Sequence, residues 1–112
     1  MHELSLAQQI MGQIQDTAKN EGLSSIKRVS LEVGSLALVE CDALQFYFGV
    51  LSKESIADGA LLEIKEIEAI GICKECGEKF ALEQVYDTCS QGHQNTSMLS
   101  GMELLISELE AN

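Results

Sequence analysis

Three of the four cysteines lie close together in the chain, and a histidine follows them. Cys73 and Cys76 form a Cys-x2-Cys pair, twelve residues follow, and Cys89 and His93 form a Cys-x3-His pair. Two thiolates at this spacing can bind one tetrahedral ion, and Gly77 allows the backbone to turn directly after them. The spacing therefore predicts a structural Cys3His metal site, and the sulfur-rich donor set favours Zn(II).

Other interpretations of this segment predict different chemistry. A thioredoxin-like redox pair normally opens a helix that lowers the thiol pKa, and Gly77 directly after the pair opposes a helix there. Spacing makes His93 the fourth ligand, and Asp87 or a water molecule are the alternatives. Cys41 lies among apolar neighbours, so we expect it to pack rather than to bind zinc.

The amino terminus offers a second set of donor atoms. The α-amine of Met1, the amide nitrogen of His2 and the imidazole Nδ1 of His2 can close a five-membered and a six-membered chelate ring on one ion. Such nitrogen donors suit square-planar Ni(II) or Cu(II) better than tetrahedral Zn(II). Glu3, a partner's ligand or water would complete the fourth position.

Length, charge and residue content exclude several functions. The 112 residues fit one domain and a small additional segment held together by a cross-link or a metal, which excludes a large multi-domain enzyme. The 18 acidic and 7 basic residues give a formal charge of −11, which repels a phosphate backbone, so we expect no nucleic-acid partner. No nucleophile and base are paired at a recognisable spacing, so we expect no enzymatic activity.

The opening residues also bear on the cellular location. They lack the basic and continuous apolar stretches of a signal peptide, and no later window approaches the roughly 18 apolar residues of a membrane span. We therefore expect a cytoplasmic protein without a membrane partner. In that reducing compartment, clustered cysteines favour metal binding over disulfides.

Apolar spacing predicts two helices. The first ends near residues 20–22, and its stripe of core residues recurs every three or four positions, at Leu4, Ala7, Met11, Ile14 and Ala18. The second follows Asp42, a plausible N-cap, and its apolar residues are Leu44, Tyr47, Phe48 and Leu51, with Phe46 widening the apolar face.

Three alternating segments predict strands, at residues 29–33, at 60–67 after the Asp58-Gly59 turn, and at 102–107, where the chain returns to the same sheet. Together the elements predict an α+β fold with a small mixed sheet, two helices and an inserted zinc-ribbon-like domain. We assign residues 1–69 with 101–112 to an α/β domain that carries the amino-terminal donors. Residues 70–100 form the zinc-binding domain, because they have too little apolar pattern for a core of their own.

Five segments resemble the hydrogenase maturation proteins of the HypA/HybF family. They are the opening MHELSL, the stretch VGSLALVECDALQFYF, the turn ADGALLEI, the knuckle CKECG and the closing GMELLISELE, so the resemblance covers the whole chain. It implies a nickel metallochaperone that delivers Ni(II) during maturation of nickel-iron hydrogenase, and in some organisms urease, with a structural Zn(II). It also implies two partners, a HypB-type GTPase and the nickel-iron hydrogenase large subunit.

The same resemblance implies that nickel is bound by Met1, His2 and Glu3 in the α/β domain, and zinc by the three clustered cysteines. The chain departs from the family's second knuckle, which is usually Cys-Pro-x-Cys-Gly. It reads CSQGH from Cys89 to His93, with glycine at the position of the fourth cysteine, and the histidine is the natural substitute. The alternative function is a zinc-ribbon adaptor that binds other proteins without delivering nickel. The sequence leaves the oligomeric state open.

Overall fold

The structure is a computed structural model that describes residues 3–112. Within these residues the chain forms two α-helices and six β-strands. In chain order they are α1 (Glu3–Glu21), β1 (Ile26–Gly34), α2 (Cys41–Ser52), β2 (Leu61–Ile67), β3 (Ile70–Cys73), β4 (Lys79–Ala81), β5 (Thr96–Ser100) and β6 (Leu104–Ala111). No helix in the described part is long and apolar enough to cross a membrane.

The first sheet has the strand order β2-β1-β6. The amide of Ile26, at the start of β1, donates to the Ile56 carbonyl just ahead of β2 at 2.7 Å. The amide of Ser35, just after β1, donates to the carbonyl of Ile67 at the end of β2 at 2.9 Å. The two strands therefore run in the same direction, and α2 lies in the crossover that a parallel pair requires.

The pairing of β1 with β6 has the opposite sense. The Gly34 amide at the end of β1 donates to the Glu103 carbonyl just before β6 at 2.7 Å, and the Asn112 amide just after β6 donates to the Ser25 carbonyl at 3.2 Å. These bonds are those of antiparallel neighbours. The first sheet is therefore mixed, and the predicted α+β class is confirmed.

The second sheet has the order β4-β3-β5, and both pairings are antiparallel. In the central strand β3, Gly71 lies opposite Phe80 of β4 and Met98 of β5. Its last residue, Cys73, lies opposite Thr96. A three-stranded sheet of this size buries little apolar surface, so the predicted metal site would add stability that the packing of this segment does not supply.

The buried stripe of α1 confirms the predicted helix but corrects one residue. Leu4 is 43% exposed, so its assignment to the core was wrong. Leu6 and Ile10 are buried in its place, because the buried stripe follows the spacing 6, 7, 10, 11, 14 and 18 and leaves position 4 at its margin.

The second helix begins slightly earlier than predicted and buries a narrower face. Its N-cap residue is Glu40, so the expected N-cap at Asp42 was wrong, and Asp42 lies in the first turn, where a carboxylate favours the helix dipole. Phe46 is 65% exposed, and its ring lies edge-to-face with the ring of Tyr47 at a centroid separation of 5.5 Å. The expectation that Phe46 widens the buried apolar face was therefore also wrong. The helix buries Leu44, Phe48 and Ser52.

Two compact units can be distinguished. One comprises residues 1–31, 39–65 and 105–112, and the other comprises 32–38 and 66–104. The first contains the two helices, which pack against each other, and most of the buried apolar side chains. The second contains β3, β4 and β5. The assignment of a nickel-binding domain to residues 1–69 with 101–112, and of a zinc-binding domain to 70–100, stays a prediction.

Candidate metal centre

Four metal-binding side chains of the second unit converge on one point. Strand β3 ends at Cys73, the turn after it carries Cys76, and the segment between β4 and β5 carries Cys89 and His93. One ligand atom from each of the four residues lies within 4.8 Å of the others. The structure therefore brings together the three cysteines and the histidine whose spacing predicted a metal site.

Three of the six separations among these atoms are close to the edges of a zinc tetrahedron. Nδ1 of His93 lies 3.4 Å from Sγ of Cys73 and 3.5 Å from Sγ of Cys89, and the sulfurs of Cys76 and Cys89 are 3.9 Å apart. Bond lengths of about 2.3 Å to sulfur and about 2.0–2.1 Å to nitrogen give tetrahedral edges of about 3.8 Å between sulfurs and about 3.6 Å between sulfur and nitrogen. The donor set thus fits one tetrahedral ion.

Two tight turns present the ligands. Gly77 and Gly92 have φ angles of 76° and 80°, a left-handed conformation that glycine adopts without steric cost. The Gly77 amide donates to the Cys73 carbonyl at 2.8 Å, and the Gly92 amide donates to the Cys89 carbonyl at 2.9 Å. Each turn folds the chain back directly after a cysteine and so directs its sulfur toward the same point.

Backbone amides also adjust the acidity of the thiols. Burial by itself would raise the pKa of Cys73, but amide donors from Cys76 and Glu75, each 3.4 Å from the sulfur, lower it below its ordinary value. At Cys76 a backbone hydrogen bond with Glu78 lowers the pKa, but the neighbouring Cys73 thiol, burial and Cys89 together raise it. Metal binding requires thiolates, so the lowered pKa favours Cys73 over Cys76 as a metal-binding thiolate.

The other ligand candidates of this segment lie elsewhere. The Asp87 carboxylate accepts hydrogen bonds from the amides of Glu83 and Gln84 at 2.8 and 3.0 Å, so it fixes a turn and is not part of the cluster. Cys41 is the first residue of α2, is partly buried, and lies 3.8 Å from the Val39 carbonyl oxygen. The geometry thus favours His93 over Asp87 as the fourth donor.

Of the three predicted nickel ligands, Met1 and His2 lie outside the described residues. Glu3 is the first residue of α1, and its Oε2 accepts a hydrogen bond from the backbone amide of Glu40 at 3.0 Å. Glu40 is the N-cap of α2, and its own side chain makes no cap hydrogen bond. The Glu3 carboxylate therefore links the start of α1 to the start of α2, a contact over 37 positions that the sequence does not predict.

The chain is similar along nearly its whole length to proteins of one family. The family model described as hydrogenase/urease nickel incorporation, metallochaperone, HypA matches residues 1–111. The hydrogenase maturation factor HypA of Acidithiobacillus ferrooxidans is 40% identical over 111 residues, which cover 98% of each chain. The protein of the same description from Azoarcus sp. is 40% identical over 110 residues, covering 97% of this chain and 96% of its own.

Two solved structures share the fold. One is the solution structure of the Ni metallochaperone HypA from Helicobacter pylori, with a TM-score of 0.74, 24% identity, and coverage of 99% of this chain and 97% of that one. The other is a solution structure of HypA protein, with a TM-score of 0.74, 25% identity, and coverage of 100% and 97%. Both span the whole chain, including the segment with the cysteine cluster.

Proposed function

The chain belongs to the HypA family of nickel-incorporation metallochaperones of hydrogenase maturation, and from that premise we propose that it carries Ni(II) at its amino terminus and Zn(II) at the cysteine cluster. The observation that carries the proposal is the family match over residues 1–111, which includes both donor sets. Nickel would be the transported ion and zinc the structural one.

The nickel ligands in this proposal are the α-amine of Met1, the amide nitrogen and imidazole Nδ1 of His2, and the carboxylate of Glu3. Three nitrogen donors suit a square-planar Ni(II) ion. The hydrogen bond from the Glu40 amide to Glu3 is compatible with this role, because a carboxylate accepts at about four positions.

The zinc ligands in this proposal are Cys73, Cys76, Cys89 and His93. Their ligand atoms lie within 4.8 Å of one another, and Cys73 and Cys89 are buried. A closed set of four protein donors is typical of a structural site, whereas a catalytic zinc keeps one position open. Zinc would then hold together the small sheet of the second unit.

The proposed partners are a HypB-type GTPase and the nickel-iron hydrogenase large subunit, met in the cytoplasm. The family description supports maturation of hydrogenase and also names urease, which makes urease delivery the second candidate destination. A terminal chelate of a few nitrogen donors suits this task, because protons compete with nickel near neutral pH and help its release. An unperturbed α-amine titrates at about 7.7–8.0 and an imidazole at about 6.5.

The test is a calorimetric nickel titration of the chain with its native amino terminus. The native protein should bind about one nickel, while amine-acetylated protein and the His2→Ala variant should each lose at least about tenfold in affinity. The variant His93→Ala is the matched control, because it removes the other histidine of the chain. Circular dichroism should show that all four proteins are equally folded.

Three results would contradict the proposal. Unchanged nickel affinity in the acetylated, folded protein would exclude the amine as a ligand. Loss of nickel in His93→Ala with full binding in His2→Ala would exchange the two assignments. A native chain that holds zinc but binds no nickel would favour the alternative function, a zinc-ribbon adaptor.

A further inference from the structure

A groove with a volume of about 460 Å³ lies within the first unit. One wall is the outer face of α1 and the other is the central part of β6. The lining side chains are Gln13, Asp16, Thr17 and Glu21 from the helix, and Ile106, Ser107, Glu108 and Leu109 from the strand. The groove therefore runs alongside β6, and the strand contributes both apolar and polar residues to its lining.

Strand β6 is the last strand of its sheet. In the order β2-β1-β6 it pairs with β1, and no described strand lies on its other side. An edge strand presents unpaired amides and carbonyls, which makes it a template for another extended segment. Natural edge strands are commonly protected by charged side chains, especially lysine, or by proline. The eight residues LLISELEA of β6 include neither lysine nor proline, and the two charged side chains, Glu108 and Glu110, are both acidic.

The charge of the groove limits what can occupy it. Three of the lining residues are acidic and none is basic. Glu108 is partly neutralised by Arg28, whose Nη2 lies 3.6 Å away, whereas Asp16 and Glu21 form no ion pair among residues 3–112. A second copy of this chain would bring the same acidic residues and another formal charge of −11 to the edge, and like charges oppose that pairing.

We propose that this groove binds a basic, extended segment of a partner protein, which adds to the sheet as a strand beside β6. Backbone hydrogen bonds to the open edge would hold the segment, and its lysine or arginine side chains would face Asp16 and Glu21. Apolar side chains of the segment would contact either Ile106 or Leu109, because residues three positions apart along a strand point to opposite faces of the sheet. None of the lining residues is a proposed nickel or zinc ligand, so the proposal does not rest on those ligands.

The probe is a fluorescent eight-residue peptide of alternating lysine and valine, titrated into the full-length chain at low salt. The control peptide has the same sequence with a methyl group on every internal backbone nitrogen. Methylation keeps the charges but removes the amide donors that strand addition needs. The control peptide should bind at least about tenfold more weakly, and the unmodified peptide should slow amide hydrogen exchange in residues 104–111.

Two matched double variants test the charges. Asp16→Asn with Glu21→Gln removes both unpaired carboxylates of the groove, and Glu68→Gln with Glu83→Gln removes two exposed carboxylates of the second unit. The first pair should weaken peptide binding by about fivefold to tenfold, on the scale of two exposed ion pairs, and the second by less than about twofold. All four positions are on the surface or at its margin, and circular dichroism should confirm equal folding.

Four outcomes would overturn the proposal. Equal binding of the methylated peptide would show that charge alone attracts the probe. Equal effects of the two double variants would show that the groove has no special role. Slowed exchange in another strand in place of β6 would move the site. Self-association of the peptide-free protein through β6 would show that a second copy of the chain occupies the edge.

Discussion

Replacement of His93 by alanine is the sharpest test of the cysteine cluster. The histidine Nδ1 lies 3.4 and 3.5 Å from two of the sulfurs, so the variant removes one of four converging donors. Structural zinc binding in small domains is worth about 10–16 kcal/mol at neutral pH, or about 3 kcal/mol for each of four ligands. Because water can take the vacated position, zinc affinity should fall by about tenfold to hundredfold and should not vanish.

The assay is competition for zinc with a chromophoric chelator, combined with X-ray absorption at the zinc edge. Native protein should show three sulfur neighbours and one nitrogen, and the variant should keep the three sulfurs. The matched control is Asp87→Asn, which retains the oxygen that accepts from the amides of Glu83 and Gln84. Unchanged zinc affinity in His93→Ala, or a loss in Asp87→Asn, would refute the assignment of the fourth ligand.

The pH dependence of the zinc affinity, measured by the same chelator competition, has a definite sign. The pKa of Cys73 is lowered and that of Cys76 is raised, so on acidification protons occupy Cys76 before Cys73. Zinc binds thiolates and displaces any protons on them, so affinity should rise with pH and level off only above the pKa of Cys76. Because the Cys73 thiol is itself a cause of the raised pKa of Cys76, zinc affinity in Cys73→Ser should level off at a lower pH than in the native protein.

Two further predictions concern the fold of the zinc-loaded protein. Gly34→Ala should lower the free energy of unfolding by at least about 2 kcal/mol, because the added Cβ would fall on the backbone of Gly101. Gly12→Ala should raise it by about 0.5–1 kcal/mol, because the Cβ added to this helical residue meets no neighbouring atom within 4 Å. Phe48→Ala should cost about 3–5 kcal/mol because the ring is only 2% exposed, and Phe46→Ala less than about 0.5 kcal/mol. Chemical denaturation measures all four values, and a ranking of Phe46 above Phe48 would contradict the burial argument.

The parts of the fold that could be predicted are those in which burial follows a simple period. Strand β1 alternates Val29, Leu31 and Val33 with polar residues, and all three are buried. Helix α2 and two of its buried residues, Leu44 and Phe48, could be predicted from spacing, but the width of its buried face could not, because apolar residues lie on several sides of the helix. Its buried stripe includes the polar Ser52, whose hydroxyl donates to the Gly49 carbonyl at 3.3 Å.

The cysteine cluster was predictable because its geometry is largely local. The ligands of each pair are only two or three residues apart in the chain, so one tight turn at Gly77 and another at Gly92 suffice to present them. The contact of Glu3 with the Glu40 amide was not predictable, since it depends on how two helices pack. Periodicity reports which face of an element is buried, and it carries no information about which element covers that face.

A protein that carries one metal and retains another has to keep the two ions from exchanging, and donor chemistry provides a means. Most nitrogen and oxygen sites follow the Irving–Williams order, in which nickel and zinc bind with similar strength, so affinity alone discriminates poorly. Three sulfurs with one imidazole in a tetrahedron favour zinc, while an amine, an amide nitrogen and an imidazole in one plane favour nickel. The buried sulfurs of Cys73 and Cys89 would also slow ligand exchange at the zinc site. If both assignments hold, the retained ion should resist chelators that strip the carried one, and the difference should persist when both metals are supplied together.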